Sequence, residues 1–183
     1  MSVLEQWSAQ SSEGILTLYG PQGTIFQAHG DRGRYSMADS FAWMLREAST
    51  AQRLAYLDGT LNGEASPAFL EMFGHYVRRI GNESLGVPVK LRRAPADYHS
   101  TEQSEMDGPP WLVSLRLLAQ EHEGCIVGRY DDTFLRAQAV STWQAMLEQS
   151  RSCFLLVVDG ALEDAMESLT QFFEGVIRVL ESQ

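Results

Sequence analysis

The run Cys153-Phe154-Leu155-Leu156-Val157-Val158 contains no polar side chain and closes on Asp159-Gly160. A strand without polar alternation must be covered on both faces, so this run predicts an interior strand. From Ala161 to Leu180 the apolar residues then fall at Leu162, Ala165, Met166, Leu169, Phe172, Phe173, Val176, Ile177 and Leu180. That spacing is one face of a helix, with Glu163, Asp164, Glu167, Glu174 and Glu181 left on the opposite side for water. A buried strand followed by an amphipathic helix places the chain among α/β or α+β proteins.

The rest of the sequence is consistent with that class. Ile15–Tyr19 and Thr24–Ala28 flank Gly20-Pro21-Gln22-Gly23 and predict an N-terminal β-hairpin. Ser36 with Asp39 three residues on is a capping-box start, and Met37, Phe41, Met44, Leu45 and Ala48 make an apolar helix face. The helical pattern runs on through Leu54 and Leu57 to Asp58-Gly59. Ser66-Pro67 starts another helix, carrying Phe69, Leu70, Phe73, Tyr76, Val77 and Ile80 and stopped by Gly81-Asn82. Leu85–Leu91 reads as a strand that Pro88 pushes to a sheet edge. Trp111–Glu123 fits a helix or a long strand, and Leu112, Leu115, Leu118 and Ala119 favour the helix. Cys125–Tyr130 predicts a short strand, and Asp131-Asp132-Thr133 caps a helix bearing Leu135, Ala139, Trp143 and Met146.

These elements predict one globular domain over residues 1–183. It has a mixed sheet with helices covering it, the N-terminal hairpin, and a C-terminal β-α-β-α unit with a crossover between Cys125–Tyr130 and Cys153–Val158. Residues 95–110 lack an apolar period and read as a surface loop. Cys125 and Cys153 both sit beside or within apolar runs and are expected as buried thiols, with a disulfide left open. Buried thiols and the absence of a signal-peptide pattern at Met1–Trp7 suit a cytoplasmic location.

The formal charge of −10 is concentrated in one half of the chain. Residues 1–94 hold nine acids and nine bases, whereas residues 95–183 hold fifteen acids and five bases. An acidic half repels nucleic acid and anionic membranes, so neither is an expected partner. P-loop, dinucleotide-binding, HExxH, G-x-S-x-G and C-x-x-C signatures are missing, and the four histidines lack metal spacing, so no cofactor or metal is expected.

The charge pattern instead points to an acidic, non-enzymatic protein-binding module of antitoxin or immunity type. Glu102, Glu105, Asp107, Asp131, Asp132, Glu163, Asp164, Glu167 and Glu174 would be its contacts to a basic protein. The alternative is a small α/β enzyme acting on a phosphorylated or carboxylated molecule. Arg32 and Arg34, with His29 nearby, would hold its anion ahead of the helix at Ser36, and Asp131 and Asp159 would stand at strand carboxyl ends. Lys90, Arg92 and Arg93, with Arg78 and Arg79, form a basic cluster whose simplest use is pairing with the acidic half.

Overall fold

The computed structural model describes residues 9–21, 36–94, 105–120 and 132–182. Its strands are β1 (Ala9–Glu13), β2 (Leu16–Gly20), β3 (Tyr56–Asn62), β4 (Val89–Ala94), β5 (Leu112–Ala119) and β6 (Ser152–Val158). Its helices are α1 (Met37–Thr50), α2 (Pro67–Arg78), α3 (Asp132–Glu148) and α4 (Met166–Glu181). The strands form one mixed sheet in the order β1-β2-β6-β5-β3-β4. β6, β5, β3 and β4 run parallel, β2 is antiparallel to β6, and β1 is antiparallel to β2.

β6 is interior and covered on both sides, as an apolar run without alternation requires. Phe154, Leu156 and Val158 join the larger core, which α1, α2 and α4 close from one face. Cys153, Leu155 and Val157 face the other way, onto Ala139, Trp143 and Met146 of α3. Trp143 donates its indole N–H to the Cys153 carbonyl at 3.1 Å, which satisfies the one polar atom of a fully buried ring. In α4, Leu169, Phe172, Phe173, Val176, Ile177 and Leu180 are buried on one stripe. Phe73 and Tyr76 of α2 meet Phe173 with ring centroids 6.1 and 5.6 Å apart. Ser36 and Ser66 cap α1 and α2, the former with the full capping box.

Four readings of the sequence are corrected. The described hairpin is β1–β2, turning at Gly14-Ile15 with Gly14 at φ +57°. β2 has β1 on one side and β6 on the other, and Thr24–Ala28 lies outside the described residues. The helix from Met37 ends at Thr50, and Tyr56–Asn62 is a central strand rather than a continuation of it. Leu112–Ala119 is a strand buried along its whole length, not a helix. Gly81 does not stop α2. The chain passes into a wider helical turn over Arg79–Ser84, where a Cβ on Gly81 would come within 2.2 Å of Val89. Cys125–Tyr130 lies outside the described residues; the parallel pair joined through α3 is β5–β6. β4 is at the sheet edge, where Pro88 directs it.

Candidate functional site

The strand order places a reversal between β3 and β5. From β3 the chain passes through α2 to β4 on one side, then returns to β5 on the other and continues through α3 to β6. In open α/β sheets, ligands bind outside the strand carboxyl ends at such a point. At that edge, however, two helix N-termini already hold carboxylates of the chain. Met37 N–H, at the start of α1, donates to Glu13 Oε1 at 2.6 Å. Ser66 N–H, at the start of α2, donates to Glu163 Oε1 at 2.9 Å. These are the positions where the helix dipole and unpaired N–H groups favour an anionic ligand. Asp159 is exposed and makes the turn out of β6, its N–H donating to the Ile15 carbonyl at 2.8 Å. His29, Arg32, Arg34 and Asp131 lie outside the described residues, and Asp132 opens α3.

A second polar centre lies inside the molecule, on the sheet face that α3 covers. Residues two apart in a strand share a face, so Tyr56, Asp58, Thr60 and Asn62 of β3 lie side by side with Lys90 and Arg92 of β4 and Ser114 and Arg116 of β5. Asp58 is fully buried and accepts four hydrogen bonds. They come from Arg92 Nε at 2.8 Å, Arg92 Nη2 at 2.7 Å, Ser114 Oγ at 2.7 Å and Thr60 Oγ1 at 3.1 Å. Arg92 Nη2 also reaches Glu105 Oε2 at 2.8 Å, and Glu105 Oε1 accepts from Lys90 Nζ at 3.1 Å and Tyr56 Oη at 3.2 Å. Burial pushes the Tyr56 phenol well above its ordinary range, and the neighbouring Glu105 carboxylate adds to the shift. Burial likewise raises the Cys153 thiol, although Arg116 and Ser114 pull the other way. The protonated thiol is therefore favoured, and Cys153 is not a poised nucleophile.

Glu105 is thus not a surface acid. Sequence reasoning groups it with the exposed carboxylates, but it is 4% exposed and holds three donors. The buried centre itself escapes the sequence reading. Its one legible trace is the Lys90–Arg93 basic cluster, and pairing with the acidic half is realised for Lys90 and Arg92 through Glu105. The helical residues 105–107 are also anchored by Arg151, which donates Nη2 to the carbonyls of Met106 and Gly108.

A third feature is the outer side of α4 and the turn before it. Glu163, Asp164, Glu167, Glu174 and Glu181 are all exposed, with Gln171 and Arg178 among them. Glu174 Oε1 accepts from Tyr76 Oη at 3.1 Å, and Glu167 Oε1 accepts from Gln171 Nε2 at 3.3 Å. Asp107 is exposed elsewhere, and Glu102 lies outside the described residues. Among the described residues no cluster of His, Cys, Asp or Glu is placed to hold a metal, and no helix is long and apolar enough to cross a membrane.

No protein-family model matches the chain, and no curated protein matches it. Among solved structures, it is similar to the hypothetical protein TT0462 from Thermus thermophilus, at a TM-score of 0.60 and 18% identity. The match covers 79% of this chain and 39% of that one, so this chain spans well under half of the other protein. The likeness is one of fold.

Proposed function

We propose that the chain is a non-enzymatic protein-binding module that captures and neutralises a basic protein, in the manner of an antitoxin or immunity-type inhibitor. The observation that carries the reading is the exposed acidic side of α4 and its preceding turn, which bears five acids against the single base Arg178. Carboxylates spread along a helix of about 24 Å attract a basic surface over distance and set its register on contact. A second exposed feature lies on α1, which packs against α4. Trp43 of α1 is 51% exposed and lies one turn before Arg46, whose guanidinium donates to the carbonyls of Val179 and Leu180 at the end of α4. An exposed tryptophan suits arginine-rich surfaces, because a guanidinium stacks on the indole. Affinity purification from the native host tests the reading. Recovery of one basic protein by the wild type, lost when Asp164, Glu167 and Glu181 are changed to lysine, supports it, and equal recovery by both proteins contradicts it.

The second reading, a small α/β enzyme for an anionic metabolite, draws on the strand reversal between β3 and β5. Glu13 and Glu163 at the helix N-termini beside that edge weigh against it. A metabolite panel separates the two. A rise in melting temperature with phosphorylated or carboxylated compounds, abolished by Arg32→Ala, favours the enzyme.

A further inference from the structure

The amino-terminal edge of the parallel strands carries an apolar ridge that belongs to neither core cluster. Pro109, Pro110 and Trp111 are all exposed, Trp111 at 54%. The ridge is fixed from behind. The Trp111 carbonyl accepts from Ala55 N–H at 2.7 Å, just before the chain enters β3. The Gly108 carbonyl accepts from Arg151 Nη2 at 2.6 Å, just before β6. Two prolines and a pinned backbone leave little freedom to lose on binding, and tryptophan is among the side chains that most often anchor a contact.

The charges beside the ridge are of opposite sign and lie on opposite faces of the sheet. α1 packs on one face and α3 on the other, and both lead into strands at this edge. The loop after α1 carries Arg53, 61% exposed, whose salt bridge is to Glu47 at 3.7 Å, itself 55% exposed. α3 ends on the exposed Glu148, in a last turn that contains no basic residue. A carboxylate beside the carbonyl end of a helix stands where a cation is favoured. The two loops enter β3 and β6, the neighbours of β5, so Trp111 lies between them in the order of the sheet.

We propose that this edge is a contact between two copies of the chain, related by a two-fold axis that lies in the plane of the sheet and crosses the strands at Trp111. Such an axis sets Trp111 against its counterpart and exchanges the two faces, so Arg53 of each copy meets Glu148 and the carbonyl end of α3 of the other. An axis along the sheet normal would instead oppose like charges, Arg53 to Arg53 and Glu148 to Glu148. A second copy is the occupant that fits, because each charge at the edge finds its complement on the same edge. This inference is independent of the role given to α4.

Sedimentation velocity from about 1 to about 100 μM tests it, at physiological salt, where repulsion between two chains of formal charge −10 is screened. The wild type should pass from monomer to dimer, and a monomer throughout overturns the proposal. Trp111→Ser should remain monomeric with an unchanged far-ultraviolet circular dichroism spectrum, and a dimer as tight as the wild type's overturns it. Arg53→Glu and Glu148→Arg should each weaken the dimer by about tenfold or more, since the axis repeats each change. The two together should restore it. Because these positions lie on opposite faces of one chain, restoration reports a pairing between copies. A double variant no tighter than the single ones overturns the two-fold arrangement.

Discussion

Arg92 and Asp58 meet through two parallel hydrogen bonds, Nε to Oδ1 at 2.8 Å and Nη2 to Oδ2 at 2.7 Å, on a sheet face closed to solvent. Two charges withdrawn from water are tolerated only as a set, because each alone carries a desolvation penalty larger than any neutral contact returns. Asp58→Ala should therefore cost about 3–5 kcal/mol, as expected for breaking a buried pair. Replacing both partners, as Asp58→Leu with Arg92→Met, should cost markedly less. Denaturant unfolding of the single and double variants measures both. A single-variant loss under about 1 kcal/mol would show the pair to be solvated.

The same pair explains where sequence reading succeeds and fails. β6 and α4 are legible because their whole pattern is local: an apolar run, a turn, then a helical stripe. β3 is hidden because Asp58-Gly59 has the look of a turn. Asp58 is there for a partner on another strand, and Gly59 for its neighbours, since a Cβ would stand 3.0 Å from Val77 and 3.2 Å from Leu91. β5 is misread for a related reason. Ser114 and Arg116 interrupt its apolar run at spacing that also fits a helix, and only burial of both faces makes such a strand. The acidic side of α4 can be read from periodicity, but the withdrawal of Glu105 from the surface cannot, because its three donors lie on β3 and β4.

Cys153 lies at 0% exposure, with its thiol raised by burial above the ordinary 9.0. In a Cys125→Ser background it should react with a disulfide reagent only as fast as the protein unfolds, and denaturant should speed labelling in step with the unfolding transition. Labelling of the folded protein at the rate of an exposed thiol would contradict the packing of β6 against α3.

The phenol of Tyr56 is raised from 10.0, first by burial and then by Glu105. The folded chain keeps this proton at pH values where the unfolded chain has lost it. The stabilisation is therefore complete below about pH 10 and lost as pH rises further through the folded-state value. Stability should fall on the alkaline side, and Tyr56→Phe should make that fall shallower even if the variant is less stable at neutral pH. Parallel alkaline limbs in the two proteins would remove Tyr56 from the account.

On the outside of α4 the expectation is reversed: substitutions there should leave stability nearly unchanged. Glu167→Lys loses a favourable interaction with the helix N-terminus, and Glu181→Lys gains one at the C-terminus, each about 0.3–1 kcal/mol. Their sum should lie within about 0.5 kcal/mol of the wild type by thermal or denaturant unfolding. A larger loss would mean that the acids support the fold rather than wait for a partner.

The most direct test of the central claim is calorimetric titration of the captured basic protein into wild type and into the Asp164, Glu167 and Glu181 lysine variant, at low and at physiological salt. The α4 reading predicts tight binding to the wild type that weakens with salt, and a loss of about a hundredfold or more in the variant with its fold unchanged. Equal affinity for the two proteins at both salt concentrations would contradict it.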